Sequence, residues 1–124
     1  MPFAIRWRGA GEAAYVIAVE GELDLFRAPQ LREAFLDRLA DGAREIVIDL
    51  SRTTFIDSTA AALLMTLPRL IGPGGTVSVV CDRPDVLRTL AITGVDRRVQ
   101  VLAAPSAAPA TTRAPHALAR QPPR

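Results

Sequence analysis

The sequence predicts a single α/β domain built on a mixed, mostly parallel sheet with helices packed against it. Three observations carry that expectation. Short β-branched runs alternate with stretches of three-and-four periodicity, which places helices between strands and so implies parallel pairing. The first two strand-like runs are separated only by a turn-rich pentapeptide, so they open the fold as an antiparallel pair. At 124 residues and 49% hydrophobic, the chain holds one compact domain and not two.

The elements follow in the order β-β-α-β-α-β-α-β. Phe3–Trp7 and Tyr15–Glu20 are the opening strands, joined by Arg8-Gly-Ala-Gly-Glu12. Within that join, Gly9-x-Gly11-x-x-Ala14 matches a dinucleotide fingerprint in letters only, because a β-branched run follows it where a helix is required. Over Ala28–Leu39, Leu31, Ala34, Phe35, Arg38 and Leu39 fall on one helical face, and Arg32, Glu33 and Asp37 on the other. Pro29 suits the first turn, and Asp41-Gly42 the end. Arg44–Leu50 is a strand with Ile46, Ile48 and Leu50 on one side. A helix runs from Ser58 to about Leu67, with Ala61, Leu64 and Met65 directed inward and Pro68 expected to kink or shorten it. After the turn Gly72-Pro-Gly-Gly75 come a buried strand, Thr76–Cys81, a helix, Pro84–Ile92, stopped by Gly94, and a last strand, Arg98–Leu102. Residues 1–102 form the domain. From Ala103 onward, 13 of 22 residues are Ala or Pro and no periodicity survives, so 103–124 is expected to be a disordered tail.

Composition excludes several chemistries. All 15 basic residues are arginine, which rules out a GxxxxGK phosphate loop and a Schiff-base lysine. Residues 1–102 carry twelve arginines against thirteen acids, so the domain lacks the basic footprint of a nucleic-acid binder. The one histidine, His116, sits in the tail and leaves the domain without a base for a Ser-His or Cys-His relay. One His and one Cys make no zinc or iron site, and Cys81 ends an apolar run as a small buried hydrophobe. The expectation is a protein that is not an enzyme and holds no metal or cofactor. No apolar stretch has the length of a signal peptide or a bilayer span, so a cytoplasmic protein without membrane insertion is expected.

One stretch remains, Phe55-Ile-Asp-Ser-Thr-Ala-Ala-Ala-Leu-Leu-Met65, where a strand gives way to a helix at Asp57, Ser58 and Thr59. As a plain helix cap, Ser58 would accept from a free backbone N–H and stabilise by about 1 kcal/mol. The same position also suits a modification. A helix N-terminus offers free N–H donors to a phosphoryl group, and phosphoserine would add a charge of about −1.5 to −2 to the surface.

Three segments, in order and spacing, resemble the STAS domain of bacterial anti-sigma-factor antagonists: Gly21-Glu-Leu-Asp24, the stretch from Ile46 to Ala60, and Pro84–Val101 with its Thr93-Gly94 pair. The resemblance spans Phe3–Leu102 and implies a STAS-like fold. It also implies an antagonist that captures an anti-sigma factor, itself a serine kinase of the histidine-kinase-like ATPase fold, and thereby frees a sigma factor. Phosphorylation of one serine would break the complex and a phosphatase would restore it, with ATP bound by the partner kinase. The acceptor position matches Ser58, with Thr59 as a second hydroxyl. Asp24, Asp57, Ser58, Thr59 and Ala60 are the implied partner-facing residues, and the free protein is expected to be a monomer. The family's usual glycines after the acceptor are Ala60, Ala61 and Ala62 here. Alanine favours the helix, and a methyl at Ala60 is expected to limit close approach by a kinase. A different class within the same resemblance is an unphosphorylated accessory subunit of a lipid-trafficking transport ATPase. A third is a structural module of a larger signalling assembly.

Overall fold

The structure, a computed structural model, describes residues 2–103. The elements are β1 (Ala4–Gly11), β2 (Ala14–Leu23), α1 (Ala28–Ala40), β3 (Glu45–Ile56), α2 (Ser58–Ile71), β4 (Thr76–Val80), α3 (Pro84–Thr93), a 3-10 turn (Val95–Arg97) and β5 (Gln100–Leu102). The strands form one sheet in the order β1-β2-β3-β4-β5; the β1–β2 pair is antiparallel and the rest are parallel. The predicted element order and mixed sheet are both present. The segment 104–124, expected as a disordered tail, lies outside the described residues.

Sheet order equals chain order, so each helical crossover steps to the next strand in the same direction. Crossovers of this kind are right-handed, which brings all three helices to one face. The main core lies there: Ile17, Val19, Ile46, Ile48, Leu50 and Val79 from the strands meet Leu31, Phe35, Leu64, Leu67, Val86 and Leu90 from the helices. The opposite face buries a smaller cluster contributed by strands alone, Ala10, Ala14, Val16, Val47 and Val80.

Several boundaries differ from the sequence expectation, β2 among them, which runs on from Glu20 to Leu23. The Arg8–Glu12 join is mostly strand: β1 continues to Gly11 with a bulge between Gly9 and Gly11, and the turn is confined to Glu12 and Ala13. Ala13 takes φ 56°, and its carbonyl accepts from both Arg44 N and Glu45 N at 2.7 and 3.1 Å, which holds this non-glycine residue in the left-handed region. β3 does not stop at Leu50 but runs to Ile56. The β2–β3 ladder shifts register between Ala18 and Glu20, and the Thr53 hydroxyl, fully buried, donates to Val19 O at 2.8 Å across that irregularity. α2 passes through Pro68 and ends at Ile71, not Leu67; Ile71 is buried and Gly72 N donates to Pro68 O at 3.1 Å, so packing and a closing bond hold the last turn. The last strand begins at Gln100, because Val95–Arg97 forms the 3-10 turn and Arg98 caps it.

Arg38, predicted on the apolar face of α1, is indeed buried there. Its guanidinium lies 3.7 Å from the centroid of the Trp7 ring, and Tyr15 meets Trp7 edge to face at 5.8 Å. This stack ties α1 to the outer strand pair.

Gly21 shows how the first motif serves the fold. Its φ of +96° disfavours any side chain, and a Cβ there would lie 3.1 Å from both Phe3 Cα and Pro2 O. Gly21→Ala therefore combines backbone strain with a tight contact against the backbone of Pro2 and Phe3. A loss of about 1–3 kcal/mol in urea unfolding is expected; an unchanged midpoint would show that the N-terminal segment moves aside freely.

Candidate functional site

Two chain crossings meet at the carboxyl ends of β2 and β3. β2 ends at Leu23 and passes through Asp24–Arg27 into α1; β3 ends at Ile56 and passes through Asp57 alone into α2. Asp24 organises the first crossing. Its Oδ1 accepts from Phe26 N and Arg27 N at 3.1 and 3.0 Å, and its Oδ2 accepts from Arg27 Nη1 at 2.8 Å. The Arg27 guanidinium in turn lies 5.6 Å from the centroid of the Phe3 ring.

Asp57 organises the second crossing and joins it to the first. Its backbone is extended, its Oδ1 accepts from Ala60 N at 2.9 Å, and its Oδ2 accepts from Leu25 N at 2.8 Å. The N-cap of α2 is thus Asp57, not Ser58 as the cap reading expected. An Asp cap also places negative charge at the positive end of the helix dipole. Ser58 becomes the first helical residue, with an exposed side chain beside the exposed Thr59. The amides of Ser58 and Thr59 meet no acceptor among the described residues, so they are open to a bound oxyanion.

The remaining implied contact residue behaves differently. Ala60 is fully buried and its amide is taken by Asp57, so its methyl points into the core and cannot face a partner. The expected obstruction of a kinase by that methyl is thereby removed. Ala61 is buried as well, while Ala62 is exposed. Both carboxylates of this corner accept bonds from within the domain, Asp24 from Phe26 N, Arg27 N and Arg27 Nη1, and Asp57 from Leu25 N and Ala60 N. They act as struts more than as bare negative surface.

Sequence reasoning missed the apolar rim. Leu25 is 53% exposed, Phe26 80% and Phe55 48%; Leu25 and Phe26 belong to the crossing that Asp24 and Asp57 hold, and Phe55 to the end of β3. The signal was present: Leu25-Phe26 follow a strand-ending acid without entering the helical periodicity of α1, and Phe55 alternates with the buried Ile56. Aromatic side chains are enriched at the energetic centres of protein interfaces.

Elsewhere the inventory is quiet. Burial pushes the Cys81 thiol above its ordinary range, so it is protonated at neutral pH, as expected of a small buried hydrophobe. Among the described residues no group of three His, Cys, Asp or Glu is placed to hold a metal, and no helix is long and apolar enough to cross a membrane. Gly9, Gly11 and Ala14 lie on the β1–β2 hairpin, away from any helix start.

The architecture defines a one-sided α/β domain whose second helix opens on an exposed hydroxyl pair. The family model described as "Mlab, STAS domain" matches residues 8–103. Anti-sigma-F factor antagonist RsfB of Mycobacterium tuberculosis is 32% identical over 82 residues, covering 66% of this chain and 67% of that protein. The crystal structure of an anti-sigma factor antagonist from Mycobacterium paratuberculosis superposes with a TM-score of 0.78 at 26% identity, over 92% of this chain and 95% of that one. The Bacillus cell fate determinant SpoIIAA in its phosphorylated form shares the fold, with a TM-score of 0.63 at 20% identity, over 81% and 92% of the two chains. The chain belongs to the STAS domain family.

The strut geometry separates the roles of neighbouring residues. Asp57→Ala removes two charge-assisted bonds and should cost about 2 kcal/mol or more in chemical unfolding. Ser58→Ala removes no cap and should stay within about 0.5 kcal/mol of wild type. Equal costs for the two would place the cap on Ser58 after all.

Proposed function

We propose that this chain is an anti-sigma-factor antagonist that works by partner switching at the Ser58 corner. Unmodified, it docks on an anti-sigma factor that is also a serine kinase of the histidine-kinase-like ATPase fold, and so releases a sigma factor. The kinase, which binds the ATP, transfers a phosphoryl group to Ser58 and ends the complex; a phosphatase reverses the step. The domain itself needs no cofactor and performs no catalysis. It works as a monomer in the cytoplasm, touching neither nucleic acid nor membrane. Asp24, Asp57 and Thr59 belong to the contact surface around Ser58.

One observation carries this reading: an exposed serine at the first position of α2, next to Asp57, which also holds the crossing that displays the exposed Leu25 and Phe26. The apolar rim gives a partner something to desolvate, and the serine sits where a charge would oppose that desolvation. A phosphoryl group on Ser58 would find the amides of Ser58 and Thr59 close by, so its own domain would tolerate it. The partner would instead meet a strongly hydrated group carrying about −1.5 to −2 charge against an apolar contact. The Bacillus fold relative has a phosphorylated form, in keeping with a fold that accommodates the group. The tuberculosis relative is itself an anti-sigma-F factor antagonist, which favours this reading over an accessory subunit of a transport ATPase.

Ser58→Asp should weaken binding to a kinase-type anti-sigma factor by at least about tenfold, or ~1.4 kcal/mol, although Asp carries only part of a phosphate's charge. Ser58→Ala should bind near normally. With kinase and ATP, wild type should gain one phosphate and Ser58→Ala none; label persisting in Ser58→Ala would move the acceptor to Thr59. Equal binding by both variants, with no labelling of the chain, would defeat the proposal.

A further inference from the structure

The outer edge of the sheet carries a second surface, separate from the Ser58 corner. β1 pairs with β2 alone, so its eight residues present a row of backbone N–H and C=O groups on the far side. A free edge of that length is a template for another strand. Beside it, between β1 and α1, runs a groove of about 290 Å³. Ile5, Trp7 and Ala34 give it apolar walls, and Glu33 and Asp37, one helical turn apart and both exposed, form its rim.

Arg38 also lines this groove, although it is only 9% exposed. Its Nη1 lies 3.2 Å from Asp41 Oδ2 in an ion pair without hydrogen-bond geometry. Nε and Nη1 are buried, and neither donates a hydrogen bond among the described residues. Buried donors left without an acceptor are uncommon in folded proteins, because each forfeits its hydration.

These features select one kind of occupant. Two acids on the rim repel an anion, so the groove suits a neutral backbone carrying apolar or basic side chains. The free strand edge suits an extended backbone. Side chains on an added strand alternate in direction. Those turned toward α1 would meet Ile5, Trp7 and the acid pair, which favours apolar and basic residues. Those turned away would lie beside Arg6 and Arg8. Arg6 is 3.7 Å from Glu20, whereas Arg8 has no carboxylate within ion-pair distance among the described residues, which favours acids or hydroxyls there. We propose that the β1 edge binds an extended segment of a protein partner by strand addition. That segment alternates basic or apolar side chains toward α1 with acidic or hydroxyl side chains away from it. The surface uses neither Ser58 nor Asp57, so it stands or falls independently of the phosphorylation switch.

Trp7 is the chain's one tryptophan, so its fluorescence reports directly on the groove. The probe is a synthetic peptide alternating Lys or Val with Glu or Thr, titrated into the full chain at low salt. A saturable change in Trp7 emission is expected, together with slowed amide exchange along Ala4–Arg8. The double variant Glu33→Gln/Asp37→Asn, altered only at exposed positions, should bind about fivefold more weakly. A peptide N-methylated at alternate residues cannot pair and should not bind. No saturable response would overturn the proposal, as would equal binding by the methylated peptide or an unchanged affinity in the double variant. A doubling of mass on concentrating the protein alone, with β1 amides newly protected, would also overturn it, because the edge would then belong to a second copy.

Discussion

The Asp57 carboxylate is the constraint on which this molecule's working surface depends. One oxygen caps α2 through Ala60 N, and the other reaches across to Leu25 N in the β2–α1 crossing. A single side chain therefore fixes the start of one helix relative to the approach to another. Asp24 completes the bracket by folding residues 24–27 back on themselves. The consequence is mechanical. Ser58, Leu25 and Phe26 are exposed, yet their backbones are held by bonds that a partner need not supply. Such a surface pays little ordering entropy on docking, and preorganisation of this sort improves affinity without adding contacts.

The rest of the fold explains why this corner is free to be a surface. Because successive strands add in one direction, the three helices occupy one face, and the carboxyl ends of β2 and β3 are joined to their helices by very short crossings. The core that anchors them, around Leu23, Ile56, Leu31 and Leu64, is complete without any residue of the corner's rim. A charge added at Ser58 thus has little to disturb beneath it. The proposed phosphorylation of Ser58 would act on what the corner shows and leave what the corner rests on intact.

Periodicity made most of this fold legible in the sequence. The Leu31, Phe35 and Arg38 stripe, the Ile46, Ile48 and Leu50 alternation and the Gly94 stop each translate into the element they suggested. What escaped detection did so for physical reasons. Ser51–Thr54 looks like a loop because it is polar, yet a register shift in the neighbouring strand supplies Val19 O as a buried partner for Thr53. α2 outlasts the stop that proline propensity suggests, because the burial of Ile71 outweighs the local cost of Pro68. At the site, the motif located Ser58 and both acids, but letters alone could not tell a capping Asp from a capping Ser. Nor could they show that the methyl of Ala60 turns inward, or that Phe26 is held out into solvent.

If Asp57 welds the two crossings into one rigid corner, amide exchange at Leu25 and Ala60 will show it. Leu25 lies in an exposed turn and, without the Asp57 bond, would exchange at nearly the rate of an unstructured amide. Leu25 N–H and Ala60 N–H should both be protected in the free domain, and Asp57→Ala should abolish the protection of both together. A Leu25 amide that exchanges freely while Ala60 stays protected would contradict it, leaving Asp57 as an ordinary helix cap.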